Sequence, residues 1–348
     1  MAAPADPVLV VGATSWGCTL AIQFDRAGST VAVLCRSSEE AAELARSREQ
    51  RRLLPGIALP ESIDFVIEPP ANPNAVILAV PAQTLRANLR ALLPHLHGDA
   101  PIVSAAKGIE LDTHLRMSEV IADELRAAGR DAPIVALSGP NLAREVAVGQ
   151  AATTVVASTD GASVERLREL LMSPSFRVYT NDDIVGVELG GALKNIVAIG
   201  VGIGDALNIG DNGRAAFLTR GLAEMARLGL AVGARPLTFM GLACLGDLIA
   251  TAASPSSRNR TLGEQLGRGE MLQDILAATV HVTEGVETTR AVRELAREHQ
   301  IELPIVEAMH DVLFDAMPPN VAIQRLMTRE AQSESAALGQ FLPAAEPN

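Results

Sequence analysis

Val8-Leu9-Val10-Val11-Gly12-Ala13-Thr14-Ser15-Trp16-Gly17 is a short aliphatic run followed by a glycine-bearing turn, and Trp16–Ala27 continues with the periodicity of an amphipathic helix. Strand, tight turn and helix in that order are the context a dinucleotide-binding turn requires. Gly12 and Gly17 occupy its first and last glycine positions. The middle position is Thr14, which adds a Cβ where the backbone approaches a pyrophosphate. A negative φ makes that residue tolerable, and its hydroxyl is then able to bond a phosphate oxygen. Beyond the turn, the second strand ends at Cys35-Arg36-Ser37. An acidic residue there binds the ribose hydroxyls of NAD, whereas a basic one accommodates the extra phosphate of NADP. Arg36 tilts the choice toward NADP(H), with NAD(H) as the alternative.

Outward from this turn, aliphatic runs alternate with amphipathic stretches. Strands are expected at Val8–Val11, Thr30–Leu34, Ala75–Val80, Ile102–Ala105, Ile134–Leu137 and Thr153–Ala157. Helices are expected between them at Ser38–Gln50, Thr84–Leu93, Thr113–Ala127 and Ala162–Met172. Such alternation implies a parallel sheet covered on both faces, an α/β, doubly wound, Rossmann-like N-terminal domain. Near Tyr179 the alternation stops. From Asp183 to Glu330 the segments read as helices, among them Val185–Leu207, Asn212–Leu230, Leu242–Ala252 and Val286–His299. The expected division is a nucleotide-binding domain over residues 1–182, an all-α C-terminal domain over 183–335, and a frayed tail over 336–348.

Composition narrows the function. The chain has 348 residues, only 3% of them aromatic, and a formal net charge of −12. That charge opposes general binding to nucleic acid or anionic lipid, so an anionic substrate needs a local basic site. The three cysteines, Cys18, Cys35 and Cys244, fit neither a disulfide framework nor a zinc site, and no metal centre is expected. A reduced cytoplasm is the expected compartment, with no targeting signal and no stable membrane insertion.

Several residues stand out chemically. In Glu188-Leu189-Gly190-Gly191-Ala192-Leu193-Lys194-Asn195-Ile196-Val197 a single ammonium interrupts an apolar helix. Burying it unpaired costs several kcal/mol, so Lys194 either snorkels to water or is stabilised for a purpose such as proton transfer. Gly246-Asp247-Leu248 places one carboxylate in another apolar stretch, and Lys194 is its candidate partner, a helix cap being the alternative. Ser256-Ser257-Arg258-Asn259-Arg260 sits beside an expected helix N-terminus, an arrangement suited to phosphate. Lys107 and Asn141 follow the ends of two strands, where open parallel sheets bind their ligands.

Together these segments resemble the bacterial NAD(P)-dependent sn-glycerol-3-phosphate dehydrogenases from about Val8 to Glu330. The matching stretches include Ala106–Glu110, Ser138-Gly139-Pro140, Phe176–Tyr179, Gly190–Asn195, Thr219–Met225, Gly246–Leu248, Ser257–Arg260 and Glu284-Gly285. The resemblance implies that Lys194 is the proton donor and acceptor, that Lys107 lies near cofactor and substrate, and that Asp247 completes the catalytic group. It implies substrate contacts at Lys107, Gly139, Asn141, Lys194, Asp247, Ser257, Arg258 and Asn259. It implies cofactor contacts at Gly12, Thr14, Ser15, Trp16, Gly17, Arg36, Lys107, Ala143, Arg258, Val282 and Glu284. Departures fall at Thr14, where the family usually has Gly, at Asn141, often Ser or Thr, and at Thr261-Leu262.

The implied reaction is reversible reduction of dihydroxyacetone phosphate to sn-glycerol 3-phosphate for glycerophospholipid synthesis, in a cleft between the two domains of a homodimeric enzyme. Two rivals stand beside it. One is a hydroxy-acid dehydrogenase of the same two-domain architecture, since fold does not fix substrate. The other is a non-catalytic nucleotide-binding paralogue with a damaged glycine turn.

Overall fold

The computed structural model describes residues 6–279 and 282–330. The expected tail, 336–348, lies outside them. The chain forms two compact units. The first runs to Lys107 and resumes at Leu115–Ile184, and the second takes Gly108–His114 and the chain from Val185 onward. A single cut near residue 182 therefore misses one excursion of the chain. The helix expected from Thr113 begins only at Met117, because His114 takes a left-handed φ of 57° and its Nδ1 lies 2.8 Å from Glu298 Oε1 of the second unit.

In the first unit the strands are β1 (Val8–Val11), β2 (Val31–Leu34), β3 (Ile63–Val66), β4 (Ala75–Leu78), β5 (Ile102–Ser104), β6 (Ile134–Ser138), β7 (Ala152–Ala157) and β8 (Phe176–Asn181). Their order across one sheet is β3-β2-β1-β4-β5-β6-β7-β8. The helices are α1 (Ser15–Arg26), α2 (Ser38–Ser47), α3 (Ala82–Leu92), α4 (Met117–Ala127), α5 (Ala143–Ala147) and α6 (Gly161–Leu171). Alternate residues of β1 feed opposite cores. Val8 and Val10 join one with α1, α2 and α6, while Leu9 and Val11 join the other with α3 and α4. Apolar burial on both faces makes the sheet doubly wound, as the continuous aliphatic runs imply.

The sheet is not parallel throughout. β6 and β7 pair antiparallel, with Ser138 opposite Val155. Their connection carries only the short α5, which packs on α1 and does not carry the chain to the far end of the sheet. The chain therefore re-enters from the end it left, as an antiparallel partner does. Two strands were not expected, β3 and β8, and each forms an edge of the sheet.

Among its described residues the second unit is all helical: α7 (Ile184–Ala206, from Val185), α8 (Gly210–Ala231), α9 (Pro236–Phe239), α10 (Asp247–Ala253), α11 (Arg258–Gly267), α12 (Leu272–Ala278), α13 (Glu284–Glu298), α14 (Pro304–Phe314) and α15 (Pro319–Met327). By length and composition α7 is able to cross a membrane, yet it is buried as the core helix of its unit. The single helix expected over Leu242–Ala252 is broken. Leu242–Gly246 is a π turn, and α10 starts only at Asp247.

Glu224 of α8 shows how the helices are locked. Its carboxylate is buried and accepts from the Ile305 amide at 2.8 and 3.0 Å and from Val306 at 3.4 Å, capping α14 from outside. Burial pushes its pKa up to about 7 from 4.5, against the pull of those amides, Arg227 and Arg220. The native state thus holds a proton that the unfolded chain releases above about pH 4.5, and the associated stability is lost as pH rises toward 7. At about 1.4 kcal/mol per unit the contribution reaches at most about 3.5 kcal/mol. Thermal melts from pH 5 to 8 should show wild type losing stability that Glu224→Gln does not lose; parallel curves would assign the carboxyl an ordinary pKa.

Candidate active site

In the first unit the glycine turn is tightly built. Gly12 has φ 98°, and a Cβ on Gly17 would collide with the Gly12 carbonyl, so both positions require glycine. Thr14 is accommodated. At φ −75° it caps α1, its Oγ1 accepting from the Gly17 amide at 3.0 Å and donating to the Ala79 carbonyl at 2.8 Å. The hydroxyl thus ties the turn to the chain just after β4. The buried Gln50, which sequence reading passed over, donates to the Ala13 carbonyl at 2.8 Å and ties the turn to the loop before β3. The amides of Ser15 and Trp16, at the positive end of α1, form no hydrogen bond within the described structure, and the buried indole Nε1 of Trp16 likewise lacks a partner. A close-approach turn with unsatisfied donors at a helix N-terminus fits a dinucleotide pyrophosphate.

Farther along the same sheet, Lys107 Nζ donates to the Gly139 carbonyl at 2.9 Å. Gly139 has φ 147°, and a Cβ there would press on the backbone of β7. The amide of Asn141 is turned to the same strand. Its Nδ2 donates to Thr153 O at 2.8 Å, and its Oδ1 accepts from Thr154 Oγ1 at 3.0 Å. Ala143 opens α5 and its carbonyl accepts from Thr19 Oγ1. Arg36 lies exposed after β2.

The second unit joins Lys194 of α7 to Asp247 of α10. Nζ donates to Asp247 Oδ1 at 3.0 Å and to Thr251 Oγ1 at 2.6 Å, and Thr251 in turn donates to Asp247 Oδ1 at 3.2 Å. All three side chains are buried. The π turn makes this approach possible: a Cβ on Gly190, one turn before Lys194, would collide with Cys244 of that turn. Such single-turn bulges recur where a helix must aim a functional side chain. Thr251 was missed in the sequence, although it lies one helical turn beyond Asp247 on the same face.

The same unit also assembles the basic segment. Ser257 caps α11 through the Arg260 amide, which places Arg258 and Asn259 in the first turn. Arg258 is exposed, and its Nη1 donates to Val282 O at 2.9 Å, next to Glu284 at the start of α13. Asn259 is buried: its Oδ1 accepts from the Gly285 amide at 3.1 Å, and its Nδ2 donates to Asn195 Oδ1 at 2.8 Å. Asn259 and Asn195 thus bind the N-terminal ends of α11 and α13 to α7. A further signal was present in the sequence and went unread. Among 29 basic residues Lys107 and Lys194 are the only lysines.

Both units have known counterparts. The sequence model of the NAD-dependent glycerol-3-phosphate dehydrogenase N-terminus matches residues 7–164, and that of the C-terminus matches residues 183–324. The chain is 46% identical over 325 residues to a glycerol-3-phosphate dehydrogenase [NAD(P)+] of Pelotomaculum thermopropionicum, covering 92% of this chain and 93% of that protein. It is 46% identical over 331 residues to the enzyme so named in Thermobifida fusca, covering 94% and 98%. The crystal structure of glycerol-3-phosphate dehydrogenase from Coxiella burnetii superposes with a TM-score of 0.87 at 34% identity, over 93% of this chain and 99% of that one. These matches span both units, and they exclude the reading as a hydroxy-acid dehydrogenase of like architecture. The chain is a nicotinamide-dependent oxidoreductase and belongs to the NAD-dependent glycerol-3-phosphate dehydrogenase family.

Proposed function

We propose that the protein catalyses the reversible reduction of dihydroxyacetone phosphate to sn-glycerol 3-phosphate, for glycerophospholipid synthesis. The observation that carries this reading is the buried Lys194–Asp247–Thr251 group, in a family whose members act on this phosphate ester. When bound at the turn of Gly12, Thr14, Ser15, Trp16 and Gly17, the nicotinamide cofactor supplies the hydride that C2 of the substrate receives. Lys194 gives the proton to the C2 oxygen as negative charge develops there, and takes it back in the reverse direction. Asp247 and Thr251 hold Nζ in place and stabilise its charged form. Lys107 adds a second positive charge at the developing alkoxide. Gly139 and Asn141 shape the adjoining loop, and Ala143, Val282 and Glu284 complete the cofactor contacts.

Phosphate recognition falls to Arg258 with the α11 N-terminus, where Ser257 and Asn259 fix the helix end. Arg36 favours NADP(H) over NAD(H) by offering a guanidinium to the 2′-phosphate. A homodimer in the cytoplasm is proposed from the family resemblance; that the cysteines are free agrees with a reducing compartment.

Arg258→Ala tests the phosphate assignment. The Michaelis constant for dihydroxyacetone phosphate should rise by about tenfold or more, in line with about 1.5–3 kcal/mol for a charged hydrogen bond. The constant for unphosphorylated dihydroxyacetone should change little. An equal loss on both substrates would assign Arg258 a structural role.

A further inference from the structure

The end of β2 carries an acidic residue as well as Arg36. In Cys35-Arg36-Ser37-Ser38-Glu39-Glu40 the cap residue Ser37 accepts from the Glu40 amide at 3.3 Å, which fixes the first turn of α2. Glu40 folds back over this cap. One carboxylate oxygen accepts from the Arg36 amide at 3.1 Å, and the other lies 3.4 Å from Arg36 Nε. The two partners differ in exposure: the Arg36 side chain is 75% exposed, that of Glu40 only 18%. The carboxylate is thus fixed in place, while the guanidinium extends into solvent and keeps its outer nitrogens for another anion. The charge of Glu40 also reaches the strand end itself, where it adds to burial in pushing the Cys35 and Cys18 thiols up to about 12.

In a dinucleotide fold this end of β2 decides the cofactor, an acidic group favouring the ribose hydroxyl of NAD and an arginine the 2′-phosphate of NADP. Here the two stand in contact. We propose that Glu40 is a specificity-determining residue that restrains the preference for NADP(H), because it shares the Arg36 guanidinium and repels a 2′-phosphate brought to it. The inference rests on the reading that Arg36 faces the cofactor ribose. A phosphate dianion that bonds the Arg36 fork must do so close to a fixed carboxylate, and that like-charge repulsion offsets part of the attraction. A ribose hydroxyl carries no charge and meets no such opposition. The pair therefore lets one site use both cofactors.

The test is direct binding of two adenosine fragments, 2′,5′-ADP and 5′-AMP, by calorimetry, together with NADPH and NADH titrations followed by fluorescence. Glu40→Gln keeps the shape and an acceptor for the Arg36 amide while removing the charge. It should tighten 2′,5′-ADP by about tenfold and change 5′-AMP by less than about twofold, a factor in the range expected for one nearby charge at partial exposure. NADPH and NADH should follow the same split. In an Arg36→Ala background the gain should shrink to about twofold. If Arg36→Ala weakens 2′,5′-ADP selectively while Glu40→Gln leaves both fragments alone, the role of Glu40 is overturned and Arg36 retains its own. If Arg36→Ala leaves the ratio of the two fragments untouched, Arg36 does not face the ribose and both assignments are overturned.

Discussion

Lys194→Ala should bind NADPH about as wild type does and turn over about 10²–10⁴-fold more slowly, the range for loss of a positioned acid–base group. The two effects separate because the cofactor turn lies in the first unit, whereas Lys194 is held by Asp247 and Thr251 in the second. Removal of the lysine takes the ammonium from a buried carboxylate that also accepts from Thr251, so some stability is lost as well. Fluorescence titration with NADPH, alongside a melting curve, distinguishes a folded, cofactor-competent variant from a collapsed one. A folded variant that kept more than about a tenth of wild-type turnover would show that another group supplies the proton.

Asp247 carries the second large effect. Asp247→Ala removes the carboxylate from a buried ammonium in the helical unit, and breaking a buried pair from one side costs about 3–5 kcal/mol. The variant should therefore melt well below wild type. Asp247→Asn keeps an oxygen within reach of Nζ and of Thr251, so the fold should survive. Its kcat should nevertheless fall by about 10²-fold, since a neutral amide neither fixes nor compensates the charged form of the lysine. The Michaelis constant for NADPH should stay near wild type. An Asp247→Asn enzyme with normal kcat would reduce Asp247 to a packing residue.

The sequence made the first unit legible where burial is complete. β1 and β4 are covered on both faces and therefore read as unbroken aliphatic runs. The edges were harder. Ile63-Asp64-Phe65-Val66 contains a charge, so β3 does not read as an aliphatic run. In β8 the alternation was present, with Phe176 and Val178 buried and Arg177 and Tyr179 exposed, and Arg177 stacks 5.5 Å over the Tyr179 ring. In the sequence the same four residues carry the family resemblance, and the alternation spans too few residues to mark a strand.

At the site, Lys194 stood out because one ammonium in an apolar helix requires a reason, and Asp247 was found as its partner by the same argument. The scarcity of lysine strengthens that reading. The other basic residues of the chain are arginines, and lysine stands only at positions 107 and 194. Arginine stays protonated at any working pH, so a residue that gives and takes a proton must be another type. Thr251 and Asn195 were not legible, since their roles depend on the bulge at Leu242–Gly246 and on the approach of α11 and α13 to α7. Asn259 was expected to hold phosphate outright. The structure engages its amide on Gly285 and Asn195, so it acts first by fixing the helix end that presents Arg258. Thr14 looked like damage to the glycine turn, but at φ −75° it has become the cap of α1.

That last point bears on the remaining rival, a non-catalytic paralogue, which one measurement separates from an enzyme. Purified protein mixed with NADPH should show no loss of NADPH absorbance until dihydroxyacetone phosphate is added. It should then consume NADPH in step with the appearance of sn-glycerol 3-phosphate, and do so far more slowly with unphosphorylated dihydroxyacetone. Binding of NADPH without turnover, or equal turnover of the phosphorylated and unphosphorylated ketones, would contradict the account.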